Sequence, residues 1–268
     1  MWCTLISTLL YLISILLISP ILLKSQSAKI EHSIKLNKTL LFTTAVFAII
    51  IHAINLSDLF TNLFIGQSFT LIEISSFISV IVAALVTIAT FCRVKTLWFL
   101  LPIIYGFAII NQILQTLLPV HFIHYLNQNI GVLIHIGLAL FAYAIFFITS
   151  LYAIQLFWID RNLKRKQTSF SSVMPPLMTV EKHFFRLMLC GQLLLTLTLI
   201  SGAVYLADFF AIQNIQKAAL SFLAWIVFGI SLFGHWKLYW RGKRMIIYTI
   251  SGMILLTFAY FGSRIMLT

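Results

Sequence analysis

Gln128-Asn-Ile-Gly-Val-Leu-Ile-His135-Ile-Gly-Leu-Ala-Leu-Phe-Ala-Tyr143-Ala-Ile-Phe-Phe-Ile-Thr-Ser-Leu-Tyr152-Ala-Ile-Gln-Leu-Phe-Trp-Ile159 contains no Asp, Glu, Lys or Arg, and Asp160-Arg161 closes it. At about 1.5 Å per residue, a helix of this length more than spans the ~30 Å hydrocarbon core of a bilayer. Seven further runs read the same way: Trp2–Leu23, Thr39–Leu56, Leu71–Cys92 (with Glu73 near its start), Leu97–Leu118, Leu187–Ala207, Ala218–Trp236 and Met245–Ser263. Lipid offers backbone N–H and C=O groups no partner, so these runs must be helices. A barrel would need short alternating segments. The sequence predicts an all-α, polytopic membrane helix bundle with eight transmembrane helices, filling residues 1–268 as a single integral membrane domain.

The composition agrees. Of the 268 residues 61% are hydrophobic and 9% charged, against roughly 25% charged in a soluble protein. Mean hydropathy is +1.04. The net charge of +12 would suggest nucleic acid until the cations are located. All but two of the 18 Lys and Arg residues fall between spans one and two, three and four, five and six, or seven and eight. Only Lys217 and Arg264 lie on the opposite side. Positive loops stay cytoplasmic, so both termini are expected outside. The charge is a topology signal and implies no nucleic-acid partner. Membrane lipid is the expected surrounding.

Trp2–Leu23 is expected to be a retained anchor. Its N-terminal region carries no positive charge, and its apolar run is long for a signal peptide. Cys3, Cys92 and Cys190 form no C-x-x-C pair and read as small apolar fillers. The outer loops Ser57–Thr70 and Pro119–Gln128 are apolar and should lie along the interface. The inner loop Asp160–Glu181, with Arg161, Lys164, Arg165, Lys166 and Pro175-Pro176, should lie near anionic headgroups or dock a cytoplasmic partner.

Polar side chains inside spans are costly and tend to be functional. Asn111 and Gln115 share one helix face, and interhelical hydrogen bonding is the expectation for them. Of the seven histidines, His32 and His183 sit in basic inner segments, and His121 and His124 form an H-x-x-H in an outer loop without an evident third metal ligand. His52, His135 and His235 lie within apolar spans. Each must satisfy two ring nitrogens, by hydrogen bonding or by ligation. Imidazole is a common axial ligand of haem iron, and a flat apolar macrocycle suits a cleft between aromatic-rich helices. Depth separates the three. Counted from Lys38, His52 lies about 21 Å from the inner cations, whereas His235 lies about 9 Å from Arg241. His52 and His135 match in depth as a pair of axial ligands. His235 is left to a separate inner site or to a packing hydrogen bond.

His135-Ile136-Gly137-Leu138-Ala139-Leu140-Phe141-Ala142-Tyr143-Ala144 resembles the histidine-then-Tyr-Ala segment of the cytochrome c assembly membrane proteins, the haem-handling family of the CcsA, CcmC and HemX types. Ala224-Trp225 through Gly234-His235, followed by Trp240-Arg241-Gly242-Lys243-Arg244, resembles that family's tryptophan, apolar helix, histidine and Trp-Arg-Gly-Lys stretch. The region from His52 to Glu73 is a weaker match to its early histidine segment. Asp208–Lys217 has no tryptophan where the family's tryptophan-rich loop falls, and no histidine follows span eight. This pattern is most similar to the small HemX-like inner-membrane members. The resemblance implies a bacterial inner-membrane, multi-pass protein that binds haem b and is accessory to cytochrome c assembly or haem handling. It also implies an outward-side ligand role for His135 and an intramembrane one for His235.

Lys217 and Arg264, the only outer cations, are the candidate partners of the haem propionates by charge-assisted hydrogen bonding, or simply reach the headgroups. No nucleophile–base set or catalytic carboxylate pair is visible, so an enzyme is not expected. Two other readings remain open: a cofactor-free scaffold or regulatory subunit that binds other membrane proteins, and a small-molecule transporter, for which no internal repeat is evident.

Overall fold

The computed structural model describes residues 2–23, 31–57, 61, 71–92, 94–117, 130–164, 176–205 and 212–261. Among them are eight α-helices and no strand: α1 Trp2–Leu23, α2 Glu31–Asn55, α3 Leu71–Phe91, α4 Leu101–Leu117, α5 Ile130–Lys164, α6 Leu177–Tyr205, α7 Ile212–Leu238 and α8 Lys243–Tyr260. A 3₁₀ turn, Lys95–Phe99, precedes α4. Six helices, all but α4 and α8, are long and apolar enough to cross a membrane.

The predicted runs mark these helices but not their ends. α2 begins upstream of Thr39, α5 continues past Ile159 to Lys164, and α6 begins at Leu177, well before Leu187. Charged residues end an apolar run without ending a helix, because Lys, Arg and Glu are good helix formers. The fourth run behaves differently. Its first residues form the 3₁₀ turn, and α4 starts only at Leu101. Pro102 lies in the first turn of α4, where its missing N–H breaks no helical bond.

The helices fall into two compact units, α1–α4 and α5–α8. In each unit the first helix packs on the second and the fourth, so four helices close a ring.

The first unit is apolar outside and partly polar inside. α1 buries Thr4, Ser7, Tyr11, Ser14 and Ile18, and exposes Leu5, Leu9, Leu12 and Leu16. The buried set recurs every three or four residues, which is one helix face. A water-soluble helix has the reverse polarity. In lipid, apolar surface gains nothing by hiding, and helices associate through close packing and hydrogen bonds instead. Cys3, Cys92 and Cys190 are exposed and unpaired, so none of them fills a core.

The second unit packs around aromatic rings. Phe146 and Phe228 stack at 3.8 Å and 10°. Gly191 and Gly252 lie against them: a Cβ would stand 3.0 Å from Phe146 at the first and 2.8 Å from Phe228 at the second. Only a residue without a side chain lets α6 and α8 approach these rings so closely.

Candidate functional site

His52 sits in the core of the first unit. Leu41, Ala45 and Ala48 are fully buried on the same face of α2, and His52 follows them with no exposed surface. Its Nδ1 lies 3.4 Å from the Tyr11 hydroxyl of α1 and its Nε2 2.9 Å from Ser76 Oγ of α3. Both ring nitrogens therefore face hydroxyls, which accept or donate according to the tautomer. Tyr11 meets the imidazole edge-on at 5.9 Å and packs on Tyr105 at 5.4 Å. The Tyr105 hydroxyl lies 2.8 Å from Thr87 Oγ1. Nearby, Ser75 Oγ donates to Asn111 Oδ1 at 2.6 Å, Gln112 Nε2 donates to Ser7 Oγ, and Thr4 Oγ1 donates to Asn55 Oδ1 at 3.4 Å. Interhelical hydrogen bonding, expected of Asn111 and Gln115, is present at Asn111 and, among the described residues, at Gln112 rather than Gln115.

His135 belongs to the second unit and is half-buried near the start of α5. Its Nδ1 lies 3.0 Å from the Thr198 carbonyl oxygen and 3.1 Å from Ser201 Oγ, both on α6. A carbonyl only accepts, so in the neutral ring Nδ1 carries the hydrogen and Nε2 keeps its lone pair. Among the described residues nothing hydrogen-bonds to Nε2. Metal-binding histidines have this arrangement, in which the far N–H is held by a carbonyl and the near nitrogen is aimed by it. Thr198 and Ser201 were not singled out from sequence. The signal was their spacing with Gly191 and Leu195, which places all four on the buried face of α6.

His235 lies in the last turns of α7. Its ring stacks on Phe185 of α6 at 3.3 Å and 14°, and its Nδ1 is 3.4 Å from the Trp240 carbonyl oxygen. The turn into α8 is locally pinned. The Trp240 N–H donates to Gly234 O at 2.9 Å, and the Trp240 ring stacks on Tyr248 at 5.5 Å with the Arg244 guanidinium 5.7 Å away. Tyr239 and Gly242 take positive φ values, 51° and 64°. The Trp-Arg-Gly-Lys stretch is therefore a shaped turn, with glycine at a position side chains avoid.

Lys217 is half-buried in the first turns of α7. Arg264, His121 and His124 lie outside the described residues, as do most of both outer loops. Among the described residues no three of His, Cys, Asp and Glu gather to hold a metal ion. A haem would need an imidazole with an available lone pair. His135 fits that requirement, and His235 has a longer version of the same arrangement. His52 fits it only by giving up Ser76 or Tyr11.

Residues 2–268 match the family model described as "Cytochrome C assembly protein". The chain belongs to the cytochrome c assembly protein family. It is 43% identical to "Inner membrane protein YpjD" of Escherichia coli strain K12, over 83% of this chain and 84% of the relative. The YpjD protein of Escherichia coli O157:H7 matches equally. No solved structure matches. With this kinship and its spanning helices, the chain is a multi-pass inner-membrane protein.

Proposed function

We propose that this member of the family binds haem b, without acting as an enzyme, as an accessory to cytochrome c assembly or haem handling. The observation that supports this most strongly is the His135 ring, whose Nδ1 is held by α6 while its Nε2 has no partner among the described residues. His135 would hold the iron, and bound haem would supply the redox-active centre or the cargo. Ser201 and the Thr198 carbonyl orient the ring. Lys217 and Arg264 are proposed to meet the propionates. In the first unit, His52 is proposed as a haem ligand only on release of one hydroxyl contact. The chain is proposed to cross the bilayer eight times, with both termini outside.

The test is an absorbance spectrum of the purified protein, oxidised and reduced, after expression with haem supplied. The wild type should show a b-type spectrum, and His135→Ala should alter or abolish it. His235→Ala should leave it largely intact. An unaltered spectrum in His135→Ala with loss in His235→Ala would move the ligand to the α7 histidine. A wild type without haem under every such condition would leave a cofactor-free scaffold as the better reading.

A further inference from the structure

The second unit has a cavity of about 310 Å³ at the end where α5 finishes and α6 and α8 begin. This is near the lower limit for small-molecule sites. Its floor is apolar and aromatic: Leu156, Phe184, Phe185 and Ile246. Its rim is ionic, and four of the charges there are already paired. Asp160 is paired with Lys164 at 2.7 Å, and Glu181 with Arg241 at 3.5 Å. Lys243 is left over on the rim with no ion-pair partner among the described residues, so the mouth carries one surplus positive charge. Beside it, α8 starts at Gly242 with no side-chain cap, which leaves first-turn N–H donors at the same mouth. On the rim, the apolar side chain of Met178 exposes 59% of its surface.

A single anionic group over an apolar floor, at a lipid-facing boundary, matches one chemistry. We propose that this cavity is a specific site for an anionic phospholipid, with the phosphate at Lys243 and the start of an acyl chain over Phe185 and Ile246. A zwitterionic lipid brings its own cation to a mouth that already has a surplus one, so it should bind less well. Free phosphate leaves the floor uncovered. The site rests on residues other than His135 and its partners; its one link to a candidate ligand is Phe185, which stacks on His235.

Native mass spectrometry of the full chain, released from detergent with added phosphatidylglycerol, phosphatidylcholine or inorganic phosphate, tests this. Phosphatidylglycerol should stay bound in preference to phosphatidylcholine, and phosphate should not compete with it. Lys243→Gln should weaken phosphatidylglycerol about fivefold, the contribution of one basic residue near a membrane surface. Met178→Trp, at an exposed position on the rim, should also weaken it by narrowing the mouth. Lys237→Gln, basic and at the same end of the unit but outside the cavity, should bind as the wild type does. Equal binding of the two lipids, displacement by inorganic phosphate, or wild-type affinity in both Lys243→Gln and Met178→Trp would each overturn the proposal.

Discussion

His135 shows what one hydrogen bond does for a ring. Without the Thr198 carbonyl the imidazole would exchange tautomers, and Nε2 would carry a hydrogen part of the time. Ser201 shares that duty. Ser201→Ala should leave the fold intact and weaken haem retention about tenfold or more, the usual effect of removing a supporting partner of a metal-bound histidine; titration of haem into apoprotein measures it. Gly252 shows the opposite constraint, the need for no side chain at all. Gly252→Ala should drive a methyl into the Phe228 ring and cost about 1–3 kcal/mol by overpacking, read as a lower unfolding midpoint in detergent. The sequence made His52, His135 and His235 equally visible as polar residues in apolar spans. It could not tell them apart by partner, because the groups that hold them come from other helices. Ser76 and Tyr11 lie 24 and 41 positions from His52, and no spacing rule reaches so far.

The helices themselves were legible, since a run without charges in a chain this apolar has few other fates. Their faces were not. α1 reads as uniformly apolar, yet Thr4, Ser7, Tyr11 and Ser14 mark its buried side. The pairing is α1 to α2 to α3 through one imidazole, so those three helices share a single polar joint. Tyr11→Phe and Ser76→Ala should each cost about 1 kcal/mol, within the range found for hydrogen bonds between membrane helices. The double variant should cost more than the sum, because it leaves a buried ring with no partner at either nitrogen. Unfolding in a mild detergent–denaturant mixture would show it; a purely additive result would mean that His52 finds other partners. The split of the fourth run into a 3₁₀ turn and α4 was not legible, because no charged residue marks it.

For the molecule as a whole, the asymmetry of the cations is the governing fact, with all but two of the 18 on one predicted side. A cysteine introduced at Ser171 in a cysteine-free background should resist an impermeant maleimide applied to intact cells, and react once the membrane is opened. Labelling from outside would reverse the topology. The membership of four helices in each unit could not be read from residue patterns, because it depends on which helices touch. In the first unit that contact has a mechanical consequence. Thr4 meets Asn55, Ser7 meets Gln112, His52 joins Tyr11 to Ser76, and Ser14 lies 2.9 Å from Thr44. These bonds sit at successive heights along α1. A slide of one helical turn, about 5.4 Å, would strand all of them at once in a solvent that offers no replacement. The four helices of this unit are thus set against piston-like sliding and hold one axial setting.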